Sequence, residues 1–386
     1  MKQRLESLDA LRGFDLFCLV ALSDLLEELA EVVDKPWMGS VMKHFTHKTW
    51  EGFSAWDLVM PLFMFMAGVA IPFALQPHSN SPEGEGLKAS PREGLVGAAL
   101  YWRLGRRVLL LWIFGMMVQG NLLALDPNRI YLFTNTLQAI AVGYFFSALI
   151  YLHTSWKTQI GIAIALLLTF WGAMEWITIG GYGGGDYTPH GNLAEGIDTF
   201  VLGRFRDTAK VIDGEVVVKA SYTYTWILSS LNFIVTVLTG VLAGEALRSS
   251  LKQGRKVGLL LGAGLAMVAL GWTWDLVHPV IKHIWTGSMV LVSSGYCFLL
   301  MGIFYWWIDC RGHNKHLTFL KVYGMNSITA YVVSHVISFK SISKSLFFGL
   351  EQYVGDYYDF LICFSNVTIL FLILYIMYRN RIFLRV

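Results

Sequence analysis

Residues 53–76 read FSAWDLVMPLFMFMAGVAIPFALQ, a run in which Asp57 is the sole ionisable side chain. Coiled as an α-helix, an apolar run of this length matches the hydrocarbon thickness of a bilayer. Charge-poor runs recur at about 11–30, 102–122, 130–152, 157–179, 226–247, 256–277, 286–308, 317–340 and 359–378. Together they predict about ten spans. Over the 386 residues the hydrophobic fraction is 55%, the charged fraction 15% and the mean hydropathy +0.52. Soluble domains carry about 25% charged residues, so a cytosolic enzyme, a secreted domain and a disordered chain are excluded. The expected fold class is all-α, a polytopic transmembrane helix bundle in a single domain, 1–386.

The charges orient it. With the N-terminus cytoplasmic, one side receives Arg12, Arg103, Arg106, Arg107, Lys157, Arg248, Arg255, Arg311, Arg379 and their neighbours. That side holds 19 of the 30 Lys and Arg, mostly in short loops. Such an excess marks the cytoplasmic face, and both termini are expected there. The N-terminal segment has basic residues, but Asp9, Arg12 and Asp15 interrupt any apolar core, so the first span is expected to be retained rather than cleaved. A formal charge of +3 gives no reason to expect nucleic acid as a partner. Cys18, Cys297, Cys310 and Cys363 lie in or at the ends of apolar runs without paired spacing, as packing residues do.

Two long connections face opposite ways. The loop at about 77–101 is rich in Pro, Gly and Ser and is expected on the cytoplasmic side. The outer loop, about 180–225, contains GGYGGGDY (180–187) and the alternating EVVVKA (215–220). The alternation predicts a short hairpin arm, and the glycines fit either tight turns or a flexible linker. The segment 342–354 is too short to span.

Polar side chains are costly in a bilayer and usually face a cavity or a partner. His47 lies in the first outer loop and Asp57 opens the second span. Asn121, Asn135, Gln138 and Asn232 fall in the outer parts of their spans, with Asn326 near the middle of the ninth and His335 beyond it. Each has a plain structural reading: a membrane Asn often bonds a neighbouring helix, and Asp57 has the position of a helix cap. Together they supply a base, a carboxylate to orient it and amide donors, which is what acyl transfer requires. On the cytoplasmic side Arg103, Arg106, Arg107 and Arg12 suit phosphate oxygens, although composition alone favours an ordinary positive-inside cluster that binds lipid headgroups. No P-loop, GxGxxG, HExxH, zinc-type Cys/His spacing or GxSxG elbow occurs.

RLESLDALRGFDLF (4–17) and HKTWEGFSAWDLVMPLFMFMAGVAIPFAL (47–75) resemble the heparan-α-glucosaminide N-acetyltransferase family, in a form most similar to bacterial members. The resemblance continues through TLQAIAVGYF (136–145), LNFIVTVLTGVLAGEAL (231–247), IWTGSMVLVSSG (284–295) and MNSITAYVVSHVI (325–337). It implies a multi-pass enzyme of the bacterial inner membrane that takes acetyl-CoA from the cytosol and acetylates an amino sugar or other saccharide on the opposite face, without a metal. The family's catalytic histidine falls on His47, its motif aspartate on Asp57, and its mid-chain asparagine on Asn232. Its late asparagine and histidine fall on Asn326 and His335, and its helix-three arginine on Arg107. Ser23, Ala139 and Thr223–Trp226 depart from the family pattern on the expected acceptor side, which bears on substrate and on activity. A transporter for a small polar solute and a catalytically inactive family member are the competing expectations. Membrane lipid is an expected partner. The glycine-rich span 256–277 offers a homodimer face.

The topology predicts opposite labelling of two engineered thiols. Ser79→Cys should react with a membrane-impermeant reagent only from the cytoplasmic side, and Gly184→Cys only from the outside. Labelling of both from one face would overturn the two-sided arrangement.

Overall fold

The computed structural model describes residues 5–33, 35–75, 91–120, 122, 130–206, 209–212, 215–218 and 224–384. Residues 76–90 of the expected cytoplasmic loop, with Asn121 and Thr223, lie outside them. The protein is mostly helical, as the apolar runs require. Among the described residues seven helices are long and apolar enough to cross a membrane. They are Ala55–Ala74, Thr136–His153, Trp156–Trp176, Ser230–Arg248, Gln253–Trp274, Gly287–Cys310 and Glu351–Arg379. The other three expected spans are helical too, but each is charged or broken. The first runs from Glu6 to Val32 and ends in the acidic stretch Ser23–Val32. The third, Pro91–Val118, carries Arg103, Arg106 and Arg107. The ninth is interrupted at Asn326.

The chain divides into two compact units, Met1–Phe63 with Lys252–Gly264 and Tyr296–Arg385, and Met64–Leu251 with Leu265–Gly295. In the first, α1 (Glu6–Phe17) continues through a π turn, Cys18–Leu22, into α2 (Ser23–Val32), followed by α3 (Pro36–Phe45). Its later helices are α12 (Thr318–Met325) and α13 (Ser327–Val336), then the short α14 (Lys340–Leu346) and α15 (Glu351–Val354), and finally α16 (Tyr358–Arg379). Backbone meets backbone where α1 crosses α12. A Cβ on Gly13 would sit 1.8 Å from the Leu320 carbonyl oxygen, and one on Gly324 2.0 Å from that of Asp9. Only glycine allows this approach, which is how small residues bring membrane helices together. The Asp309 carboxylate accepts the backbone N–H groups of Glu6, at 3.3 Å, and Ser7, at 3.1 Å, capping the orphan donors at the start of α1.

In the second unit α9 (Ser230–Arg248) is buried along most of its length. It packs against α6 (Thr136–His153) and α7 (Trp156–Trp176), and the Ser147 hydroxyl donates to the Ile234 carbonyl at 3.0 Å. In the expected outer loop the described residues are tied by hydrogen bonds. In the glycine run, the N–H of Gly183 donates to Gly191, that of Gly184 to Ile177 and that of Gly185 to Met174, so the segment forms tight turns. The alternating segment forms the expected hairpin: β3 (Ala209–Ile212) pairs antiparallel with β4 (Glu215–Val218), Val211 opposite Val216. The Asp198 carboxylate, on α8 (Leu193–Leu202), receives the N–H groups of Trp226, at 2.6 Å, and Ile227, at 2.9 Å, ahead of α9.

A second tie fixes a tautomer. The Gly287 N–H donates to His278 Nε2 at 2.9 Å, so the neutral ring carries its proton on Nδ1 and donates to the Tyr187 oxygen at 2.8 Å. Tyr187 in turn donates to Glu175 at 2.8 Å. Burial lowers the His278 pKa from 6.5 to about 3. Between those values the unfolded chain binds more protons than the fold, so stability is full above pH 6.5 and is lost as the pH falls toward 3. The thermal midpoint of detergent-solubilised protein should therefore drop between pH 7 and 4. His278→Gln, which can still accept from Gly287 and donate to Tyr187, should flatten that dependence; an unchanged slope would show that His278 does not carry it.

Candidate active site

The segment between α3 and α4 (Val59–Ala74) folds back on itself. Gly52 has φ +102°, a left-handed conformation that a residue with a Cβ rarely adopts. Beyond it Ser54 opens the 3₁₀ turn Ala55–Leu58, with Asp57 three residues on, in a capping box. Asp57 Oδ2 accepts the Ser54 N–H at 2.9 Å. The Ser54 hydroxyl, with one proton to give, lies 2.9 Å from that oxygen and 2.8 Å from the Thr46 carbonyl. Asp57 Oδ1 accepts from His47 Nδ1 at 2.8 Å. The carboxylate therefore caps the helix and also orients the histidine. Capping the helix and holding a histidine, alternatives in the sequence, are met here by the two oxygens of one group.

This pairing sets the chemistry of the ring. With Nδ1–H donated to Asp57, Nε2 carries the lone pair of the neutral imidazole. The Asp57 side chain is 1% exposed and that of His47 40% exposed, so a buried carboxylate holds a ring that reaches the surface of its unit. Behind them Trp56, Val59 and Cys18 form an apolar cluster with Leu19, Leu22, Phe45 and Phe63, and Phe45 meets Trp56 at 5.6 Å between ring centres. Phe53 stacks on Tyr296 at 5.7 Å.

Asn326 and His335 belong to the same unit. Asn326 stands where the ninth expected span breaks, with φ −117° and ψ 31° between α12 and α13. It is 2% exposed, yet neither its amide oxygen nor its amide nitrogen has a hydrogen-bond partner among the described residues. A buried amide left wholly unsatisfied costs about 1–3 kcal/mol per group. Broken helices with such groups occur where backbone and side chain line a binding cavity. Helix α13 touches the Cys18–Leu22 turn, which packs on Trp56 and Val59 beside Asp57. His335 is exposed, and its Nδ1 donates to the Tyr331 carbonyl one turn earlier at 2.8 Å.

The remaining candidates lie in the second unit, apart from Arg12, which is half-buried on α1. Asn232 is fully buried; its Nδ2 donates to the Trp285 carbonyl at 2.6 Å and its Oδ1 is without a partner among the described residues. On α5 (Pro91–Val118) Arg103 and Arg106 are exposed. Arg107 is half-buried, its guanidinium 4.1 Å from the centre of the Tyr144 ring and its Nε without a partner. A cation held flat on an aromatic face keeps its fork available for an anion. Asn135 and Gln138 do the plainer work. Asn135 caps α6 through the Leu137 N–H at 2.8 Å, while Gln138 accepts from Thr134 at 2.8 Å and Asn135 at 3.1 Å. Ser54 went unnoticed in the sequence, although S-x-x-D ahead of an apolar run is the signal of a capping box.

Among the described residues no group of three or more His, Cys, Asp or Glu side chains is arranged to hold a metal ion. No family model matches the chain. It is similar to heparan-alpha-glucosaminide N-acetyltransferase of Homo sapiens, 25% identical over 435 residues, and of Mus musculus, 24% identical over 436. Both matches cover 99% of this chain but 60% of the relative, so the chain spans about three-fifths of the length of the proteins it resembles.

Proposed function

We propose that the protein is a transmembrane acetyltransferase that moves an acetyl group from cytosolic acetyl-CoA to an amino sugar or other saccharide on the outer face. The observation that carries this reading is the His47–Asp57 pair at 2.8 Å, a base oriented by a carboxylate that the fold itself holds through Ser54. The full-length similarity to two N-acetyltransferases supports it.

In this reading the acceptor nitrogen or oxygen attacks the thioester carbonyl as His47 Nε2 takes its proton. The carbonyl oxygen gains charge, and the amide of Asn326 or Asn232 donates to it. The C–S bond then breaks and CoA leaves with its sulfur, which regains a proton. Asp57 keeps the proton on Nδ1 and stabilises the imidazolium. Removing one oxyanion donor costs about 10²–10³ in rate in other acyl-transfer enzymes. Arg107, with Arg103, Arg106 and Arg12, binds the phosphates of the donor. His335 is a second histidine available to the reaction.

Acetyl-CoA turnover by the purified full chain with glucosamine as acceptor tests the reading. His47→Ala should lower turnover by about 10²–10⁴-fold while acetyl-CoA still binds. Asp57→Asn should lower it by loosening the tautomer, and His335→Ala serves as the control for a competing base. Native turnover without His47 would remove it from the mechanism, and acetyl trapped on His47 in the absence of acceptor would replace direct transfer by a two-step route.

Arg107→Ala should weaken acetyl-CoA binding by about 1.5–3 kcal/mol, the scale of a charge-assisted bond. Unchanged affinity would take Arg107 out of the donor site. The broken helix at Asn326 also suits a solute transporter; solute flux in liposomes without any thioester turnover would favour that reading.

A further inference from the structure

Asp15 is a buried carboxyl group that the proposed chemistry does not use. It lies in the middle of α1, 2% exposed. Its Oδ2 has no hydrogen-bond partner, and none of the ion pairs found among the described residues includes it. Nothing in the fold calls for it: replacing a solitary buried acid by an apolar residue of similar size removes a desolvation penalty and breaks no bond. An ionisable side chain kept at this depth without a partner marks a site for one.

The helix fixes where that site lies. Gly13 and Asp9 face α12. At 100° per residue, Asp15 points to the opposite side of α1. Arg12, Asp15 and Leu19 follow one another at intervals of three and four, forming a single stripe. Leu19, together with Cys18 and Leu22, packs against Trp56 and Val59, the residues flanking Asp57. Three residues after Asp15 the backbone widens into the π turn Cys18–Leu22, a distortion frequent at functional sites. The stripe thus runs from a guanidinium, past an unpartnered acceptor, to the apolar wall behind the His47–Asp57 pair.

We propose that Asp15 is a donor-binding residue, its carboxylate accepting N–H groups of the amide-bearing arm that joins the phosphates of acetyl-CoA to its thioester. This rests on the acetyltransferase reading. An amide-bearing arm supplies N–H donors, the complement of a carboxylate, while its alkyl segments fit the flanking leucines.

The test compares two ligands on the purified full chain: acetyl-CoA, and adenosine 3′,5′-bisphosphate, which has phosphates but no arm. Asp15→Leu should weaken acetyl-CoA binding by about ten- to a hundredfold, the scale of a charge-assisted hydrogen bond. Binding of the bisphosphate should stay unchanged. The thermal midpoint should hold or rise, because a group without partners contributes no bond to the fold. Asp15→Asn, which keeps one acceptor oxygen, should fall between Leu and the native residue. Equal loss of both ligands, or native affinity for acetyl-CoA in Asp15→Leu, overturns the assignment. A lowered midpoint with unaltered preference between the ligands makes Asp15 structural and also overturns it. Failure of the unaltered protein to bind acetyl-CoA defeats the acetyltransferase reading itself, and is a different result from any of these.

Discussion

A polar group that leaves water for an apolar span must be met by a partner, or it costs free energy that a marginally stable fold can ill spare. In this protein many such groups are met, some by neighbours in the chain and some by residues far along it. Asn135 and Gln138 cap the helix they begin, Asp309 caps α1, and Ser54 and Asp57 cap each other. Among the buried groups left unmet in the described residues are the whole amide of Asn326, the oxygen of Asn232 and one oxygen of Asp15. The first two already belonged to the proposed chemistry on other grounds.

The parts of the architecture legible in the sequence were those governed by composition. A twenty-residue apolar helix is recognisable because the bilayer sets its length, and seven of the expected spans appear as such helices. The interruptions were not legible. Nothing in MNSITAYVVSHVI distinguishes a continuous helix from one broken at Asn326, since neither proline nor glycine stands at the break. The π turn at Cys18–Leu22 lies in an unremarkable apolar stretch, CLVAL, because its cause is how the helix packs. Residue identity alone likewise could not separate Asn135, which caps, from Asn326, which does not; only the hydrogen-bond partners do that.

The His47–Asp57 pair was the most legible part of the site, and the geometry explains why. The H-x-x-W-x-G-x(4)-D spacing contains two mechanical parts of the turn: a glycine at positive φ, Gly52, and a capping carboxylate, Asp57. Asp15 was legible only as a defect. In the sequence it interrupts an apolar run, and its significance rests on burial without a partner, which is a property of three dimensions. His278 drew no reading from the sequence, and only the structure shows Tyr187 and Gly287 fixing both of its nitrogens.

The cap on α1 bears on how the protein is made. Glu6 and Ser7 have their N–H groups satisfied by Asp309, a residue 303 positions later than Glu6. Because synthesis runs from the N-terminus and helices enter the membrane as they emerge, α1 is delivered with its leading end unsealed. It stays so until most of the chain has followed. The crossing at Gly13 and Gly324 has the same dependence, since its second half lies in α12. Helix α1 is thus locked long after it emerges, and a chain halted before Asp309 would present an unpaired helix end for quality-control machinery to recognise.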